Sequence, residues 1–232
     1  MPEQLRLQIN KLKRYACFTA ILLCALFILI GLEIEAFRLS ASASVKTVFF
    51  IMITICAILL ICMQLIKKRQ KPQIAHQISV RCTNKDALIA LLHATQVSDE
   101  TYLVMLDKEN CRLRILVQYI SKFDRERLAK QRNAANKKIN AQYRVKTDLP
   151  FHDALKRMRI NLVVCETMSE PLLNWVQRDA ANLLSRTESV LNAAIILEQG
   201  ILLFPHCQYG PTYIEIKKYA LAAESLCTLL TV

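Results

Sequence analysis

Glycine is nearly missing from this chain: three residues in 232, at Gly31, Gly200 and Gly210. With so few, neither GxGxxG nor GxxxxGK[ST] can be written, which excludes a glycine-built phosphate cradle. No CxxC pair occurs among nine cysteines, and no GxSxG, HExxH or DxDxDG motif is present. Five cysteines (Cys82, Cys111, Cys165, Cys207, Cys227) are far apart, and the other four lie in apolar runs, where Cys behaves as a small hydrophobe. This pattern predicts reduced thiols, no metal site, no cofactor and a reducing compartment. Charge is missing from two stretches altogether. Tyr15 to Leu32 holds eighteen uncharged residues and Thr47 to Ile66 holds twenty.

Those two runs organise the chain. Each approaches the roughly 20 residues a helix needs to cross a hydrocarbon core. The first is too long for a usual signal-peptide core, and no small-x-small cleavage site follows it closely. The expectation is a two-helix transmembrane hairpin over 15–66, with spans 15–32 and 47–66 and a short external loop 33–46. A basic N-terminus, 1–14, precedes it. A basic linker, 67–77, follows, and then a cytoplasmic α+β (mixed α/β) domain over 78–232.

Orientation is read from lysine and arginine. Arg6, Lys11, Lys13 and Arg14 precede the first span, and Lys67, Lys68, Arg69 and Lys71 follow the second. Between the spans stand only Arg38 and Lys46. Both termini are therefore expected in the cytoplasm, with the chain a multi-pass protein of the plasma or inner membrane. The lack of intramembrane charge disfavours an ion path or proton relay. Ala16, Ala20 and Cys24 on the first span, with Thr54 and Ala57 on the second, form small-residue faces. Such faces suit hairpin packing, a protein partner or a second copy of the chain.

In the body, hydrophobic periodicity predicts a strand at 78–82 and a helix over 84–96 with Leu88, Leu91, Leu92 and Thr95 on one face. A hairpin is expected from Tyr102–Leu106 and Arg112–Ile115, the second strand half exposed with its arginines outward. A helix follows from about Asp124 to Tyr143, then a short helix at 150–158 and a buried strand at 160–165. A long helix starts at Ser169-Glu170-Pro171. A second hairpin, 191–197 and 201–204, turns at Gly200, and a C-terminal helix closes the chain. Three [ST]-x-x-[DE] boxes, at Thr83, Ser121 and Thr212, mark helix starts. A helix–hairpin–helix order thus occurs twice, without an alignable side-chain pattern.

Two pairs suggest chemistry. Glu215-x-Lys217 has the spacing of the metal-nuclease E-x-K pair, which requires a strand; the adjacent capping box favours a helix. His206-Cys207 offers half of a thiol site but no second base in sequence. The strongest signal is the helix near 124–143, where Arg125, Arg127, Lys130, Arg132, Lys137 and Lys138 face only Asp124 and Glu126. Leu128, Ala135 and Ile139 give it one narrow apolar stripe. With Lys67, Lys68, Arg69 and Lys71 these residues form the candidate site for anionic lipid headgroups. Nucleic acid ranks lower, because 124–142 has no aromatic side chain for stacking. The preferred reading is a membrane-anchored platform that binds a partner or supports assembly. A membrane-tethered hydrolase or nuclease built on Glu215/Lys217 or His206/Cys207 is the alternative.

Overall fold

The computed structural model describes residues 1–39, 42–69, 76–108, 111–142, 157–178, 189–206 and 213–231. The chain divides into two compact units. One holds 7–71 and 208–216; the other holds 72–207 and 217–232 together with 1–6.

In the first unit, α1 (Glu3–Arg38) and α2 (Ala43–Arg69) are the long helices. Both are long and apolar enough to cross a membrane. Helix extends well past each apolar run: α1 continues to Arg38 and α2 begins at Ala43, so most of the expected loop 33–46 is helical. Glu33, Glu35 and Arg38 have straight-chain side chains that lose little rotamer freedom in a helix, so the end of apolarity is no end of helix. Half-buried residues recur at alternating three- and four-residue steps. They are Tyr15, Thr19, Leu22, Leu26 and Leu29 on α1, and Phe49, Ile53, Cys56, Leu60 and Met63 on α2. That is the spacing of a helix–helix seam, and the Tyr15 hydroxyl donates across it to the Met63 carbonyl at 3.2 Å. Of the small-residue faces, Ala20, Cys24 and Thr54 are exposed while Ala16 and Ala57 are half-buried, so they overlap this seam only in part. The hydroxyls of Thr19, Thr47 and Thr54 each donate to the carbonyl four residues back, so these three polar groups are paired within their own helices. Large apolar side chains cover the outside: Phe27, Ile28, Phe50 and Ile61 are all well exposed.

The second unit is built on a seven-stranded mixed sheet in the order β1-β7-β6-β5-β4-β3-β2. Its strands are β1 (His76–Ser79), β2 (Thr95–Ser98), β3 (Thr101–Lys108), β4 (Cys111–Tyr119), β5 (Arg157–Cys165), β6 (Ser189–Ile196) and β7 (Ile201–Phe204). The central three, β4, β5 and β6, are parallel; the outer pairings are antiparallel. The unit also holds the helices α3 (Lys85–Leu91), α4 (Arg125–Gln142), α5 (Glu170–Arg178) and, from Lys217 on, α6 (Tyr213–Leu230).

One face of the sheet buries Leu113, Ile115, Val117, Ile160, Leu162, Leu191, Ile195, Leu202 and Phe204. On this side α6 places Tyr219 edge-on to Phe204, ring centres 5.1 Å apart. The opposite face buries Val163, Cys165, Ala194, Ile196 and Leu203 against Leu128 of α4 and Leu172, Trp175 and Val176 of α5. Further along that face, Leu103 and Leu116 meet Ala135 and Ile139. A parallel strand buried on both sides reads as a continuous apolar run, as Leu162-Val163-Val164-Cys165 does.

Several expectations need correction. The strand expected at 78–82 is β1, at His76–Ser79, two residues earlier. The helix expected over 84–96 stops at Leu91, because His93 adopts φ 48°, and Thr95–Ser98 becomes strand β2. Leu88 and Leu92 are buried there, whereas Leu91 is exposed. The arginine-bearing strand β4 is interior rather than half exposed, because α4 covers its second face and buries Leu116 and Gln118. Two helix caps fall one and three residues later than the boxes suggest. Asn84 caps α3, and Asp124 caps α4 by accepting from the Glu126 and Arg127 amides at 2.9 and 3.3 Å. Of the expected short helix at 150–158, Arg157 and Met158 belong to β5; the rest, like the Thr212 box residue, lies outside the described residues. The Gly200 turn is as expected, with φ 59°.

Candidate functional site

The most heavily charged helix is held by one narrow stripe. Leu128, Ala135 and Ile139 are almost wholly buried, as their seven- and four-residue spacing requires. Two polar anchors fix the rotation of α4. The Gln118 amide nitrogen donates to the Leu128 carbonyl at 3.1 Å, and Arg114 Nη2 donates to Asn136 Oδ1 at 2.9 Å. At 100° per residue, Arg127, Lys130, Lys137 and Lys138 then fall within roughly 100° of arc on the side away from the sheet. All four are exposed, as is Arg125, while Arg132 is half-buried near the edge of the inner stripe. The outward basic face is therefore Arg127, Lys130, Lys137 and Lys138, with Glu126 the acidic residue beside it. Lys67, Lys68 and Arg69 form the last turn of α2; Lys71 lies outside the described residues.

Of the two chemical pairs, only Glu215/Lys217 lies within the described residues. Glu215 and Lys217 lie on α6, a helix, so the strand that an E-x-K metal pair needs is not there. His206 follows β7 and approaches His76, Nδ1 to Nε2, at 3.3 Å; Cys207 lies outside the described residues. Among the described residues no group of three or more His, Cys, Asp or Glu side chains is placed to hold a metal ion. Cys17, Cys24, Cys56, Cys62, Cys82, Cys165 and Cys227 are free thiols. Burial pushes the Cys165 thiol up to about 12, so it is protonated and inert at neutral pH.

One cluster has no sequence signature. Lys85 of α3 pairs with Glu100, and its ammonium sits 4.5 Å from the centre of the Tyr119 ring. The Tyr119 hydroxyl donates to Glu166 Oε1. The hydrogen bond to Glu166, with some desolvation, pushes the Tyr119 phenol up to about 12. Glu100 carries φ 54°, a left-handed conformation uncommon outside glycine and asparagine, and its carbonyl accepts from the Tyr119 amide at 2.9 Å. The four side chains tie α3, the β2–β3 turn and the ends of β4 and β5 together. Each member has its charge or proton satisfied by another, which is the arrangement of a structural clasp. Similarly, Asn161 donates to Asn192 at 2.9 Å inside the sheet, so a buried amide pair is matched to itself. No protein-family model, curated protein or solved structure matches the chain.

Proposed function

We propose that this is a two-pass protein of the plasma or inner membrane, with both termini cytoplasmic. Its mixed α/β domain serves as a binding and assembly platform held against anionic lipid headgroups. The observation that carries the reading is the outward face of α4, where Arg127, Lys130, Lys137 and Lys138 are exposed on a helix anchored to the sheet from behind. Each basic residue near an anionic leaflet contributes about 1 kcal/mol of attraction. Four of them, held on a rigid helix, act without a large ordering cost.

Further features support the same arrangement. The outside of α1 and α2 is rich in large apolar side chains, and the Thr19, Thr47 and Thr54 hydroxyls are satisfied within their own helices, as a hydrocarbon surrounding demands. Basic residues concentrate at the outer ends of the two apolar runs. Only 70–75 separate Arg69 from His76, a reach of ~20 Å at full extension. A domain on so short a tether stays near the headgroups, within range of a field that decays over ~8 Å. A partner, or a second copy of the chain, has the exposed small residues Ala20 and Cys24 to approach within the bilayer.

The test is lipid retention by the full chain. Extracted in mild detergent, the wild-type protein should carry anionic phospholipid through purification. The quadruple variant Arg127→Gln, Lys130→Gln, Lys137→Gln, Lys138→Gln should carry severalfold less. Equal retention by both would remove the lipid reading. Nucleic acid co-purifying with the wild type, and lost in the variant, would replace it.

A further inference from the structure

The His76–His206 contact has geometry that an ordinary hydrogen bond between imidazoles does not need. Their facing nitrogens, Nε2 of His76 and Nδ1 of His206, are 3.3 Å apart, and the ring centres are 5.2 Å apart with planes inclined at 38°. Two imidazoles binding one tetrahedral ion, with Zn–N of about 2.0–2.1 Å, place their nitrogens ~3.3 Å apart and their centres ~5.2 Å apart. A straight N–H···N bond of that length would separate the centres by roughly 5.6 Å. The observed centre-to-centre distance of 5.2 Å matches the shared-ion value rather than the straight bond.

The two side chains are also held in place. His76 stands in the β1–β7 ladder, opposite Phe204. His206 follows Pro205, whose ring fixes φ and whose carbonyl accepts the buried Tyr219 hydroxyl at 2.6 Å. Ligands positioned by strand and core lose little freedom when an ion arrives. Both rings are half-buried.

The geometry points to a two-histidine site for a borderline divalent ion, Zn²⁺ first, formed by His76 Nε2 and His206 Nδ1 with water completing the shell. Nitrogen donors suit Zn²⁺, Ni²⁺ and Cu²⁺ and do not suit Mg²⁺ or Ca²⁺. The ion would join the first strand after the α2 tether to the end of β7, so occupancy would brace that sheet edge.

Zinc alone is the probe, with the full chain in detergent. Equilibrium dialysis should find one more equivalent of Zn²⁺ on the wild type than on His76→Gln or His206→Gln, with affinity at that site at least tenfold weaker in each variant. His93→Gln, at an exposed position, should behave as wild type. Zn²⁺ held by the thiols is common to all four proteins and cancels. Zinc K-edge absorption on the wild type, loaded with one equivalent, gives a second readout that needs no variant. A shell of nitrogen or oxygen near 2.0 Å with imidazole scattering is expected. A shell dominated by sulfur near 2.3 Å, or identical binding by wild type and both histidine variants, overturns the site.

Discussion

Helices α4 and α6 are each eighteen residues long, and they use their length in opposite ways. From Lys217 on, α6 buries Tyr219, Ala222, Ala223, Ser225, Leu226, Cys227 and Leu230. From Arg125 to Ile139, α4 buries Leu128, Ala135 and Ile139. From Lys217 on, one is a core element with a buried residue in each turn. The other is laid on the sheet by a single stripe and two polar anchors, and most of its surface faces away. A helix that contributes little to the core yet carries a same-sign face is explained by what it meets, and that contrast is the basis of the proposed platform.

The contrast sets an order of expected effects. Truncation on α6 should be the most damaging: Leu226→Ala removes a fully buried side chain and should cost about 2–5 kcal/mol by denaturant unfolding. Tyr219→Phe should follow at about 1–3 kcal/mol, because the Pro205 carbonyl loses its donor in a buried setting. On α4, Asp124→Ala removes the cap and should cost ~1 kcal/mol. The outer face should be nearly silent in the same assay. Each of Arg127→Gln, Lys130→Gln, Lys137→Gln and Lys138→Gln should stay within about 0.5 kcal/mol of wild type. If those changes cost as much as Leu226→Ala, the basic face is structural and the contrast collapses.

A pH prediction comes from the clasp. Tyr119 ionises near 10 in the unfolded chain and is pushed up to about 12 in the fold, so the native state holds its proton longer. Its contribution is whole below pH 10 and is lost as pH rises from 10 to 12. Stability against pH should therefore fall less steeply over that window in Tyr119→Phe than in wild type. Parallel curves would show that the Glu166 bond does not govern the phenol.

How far these features were legible in sequence depended on their range. The apolar runs, the Leu128–Ala135–Ile139 stripe and the Gly200 turn are local patterns, and all three stand as read. Strand β2 was missed because Thr95–Ser98 is short and polar, and it takes its shape from pairing with β3. The helix before it ends at a left-handed histidine rather than a glycine, so no breaker announces the stop. Alternating arginines made β4 look half exposed; the pattern on one strand does not reveal that α4 covers its second face. The cap positions slipped because a serine or threonine three residues ahead of an acid mimics a box even when the acid, as at Asp124, is itself the cap. Tyr119 and Glu166 are 47 residues apart, and His76 and His206 are 130 apart, so only the sheet brings each pair together.

The most direct test of the central claim is lysine footprinting of the full chain in nanodiscs of neutral and of anionic lipid, read by mass spectrometry after brief amine modification. Lys217, exposed on α6, provides the reference. At low salt, Lys130, Lys137 and Lys138 should react severalfold more slowly in anionic than in neutral discs, relative to Lys217. The protection should vanish at high salt, where the Debye length shrinks to ~3 Å. Equal reactivity of the α4 lysines in both lipids at low salt would contradict the account.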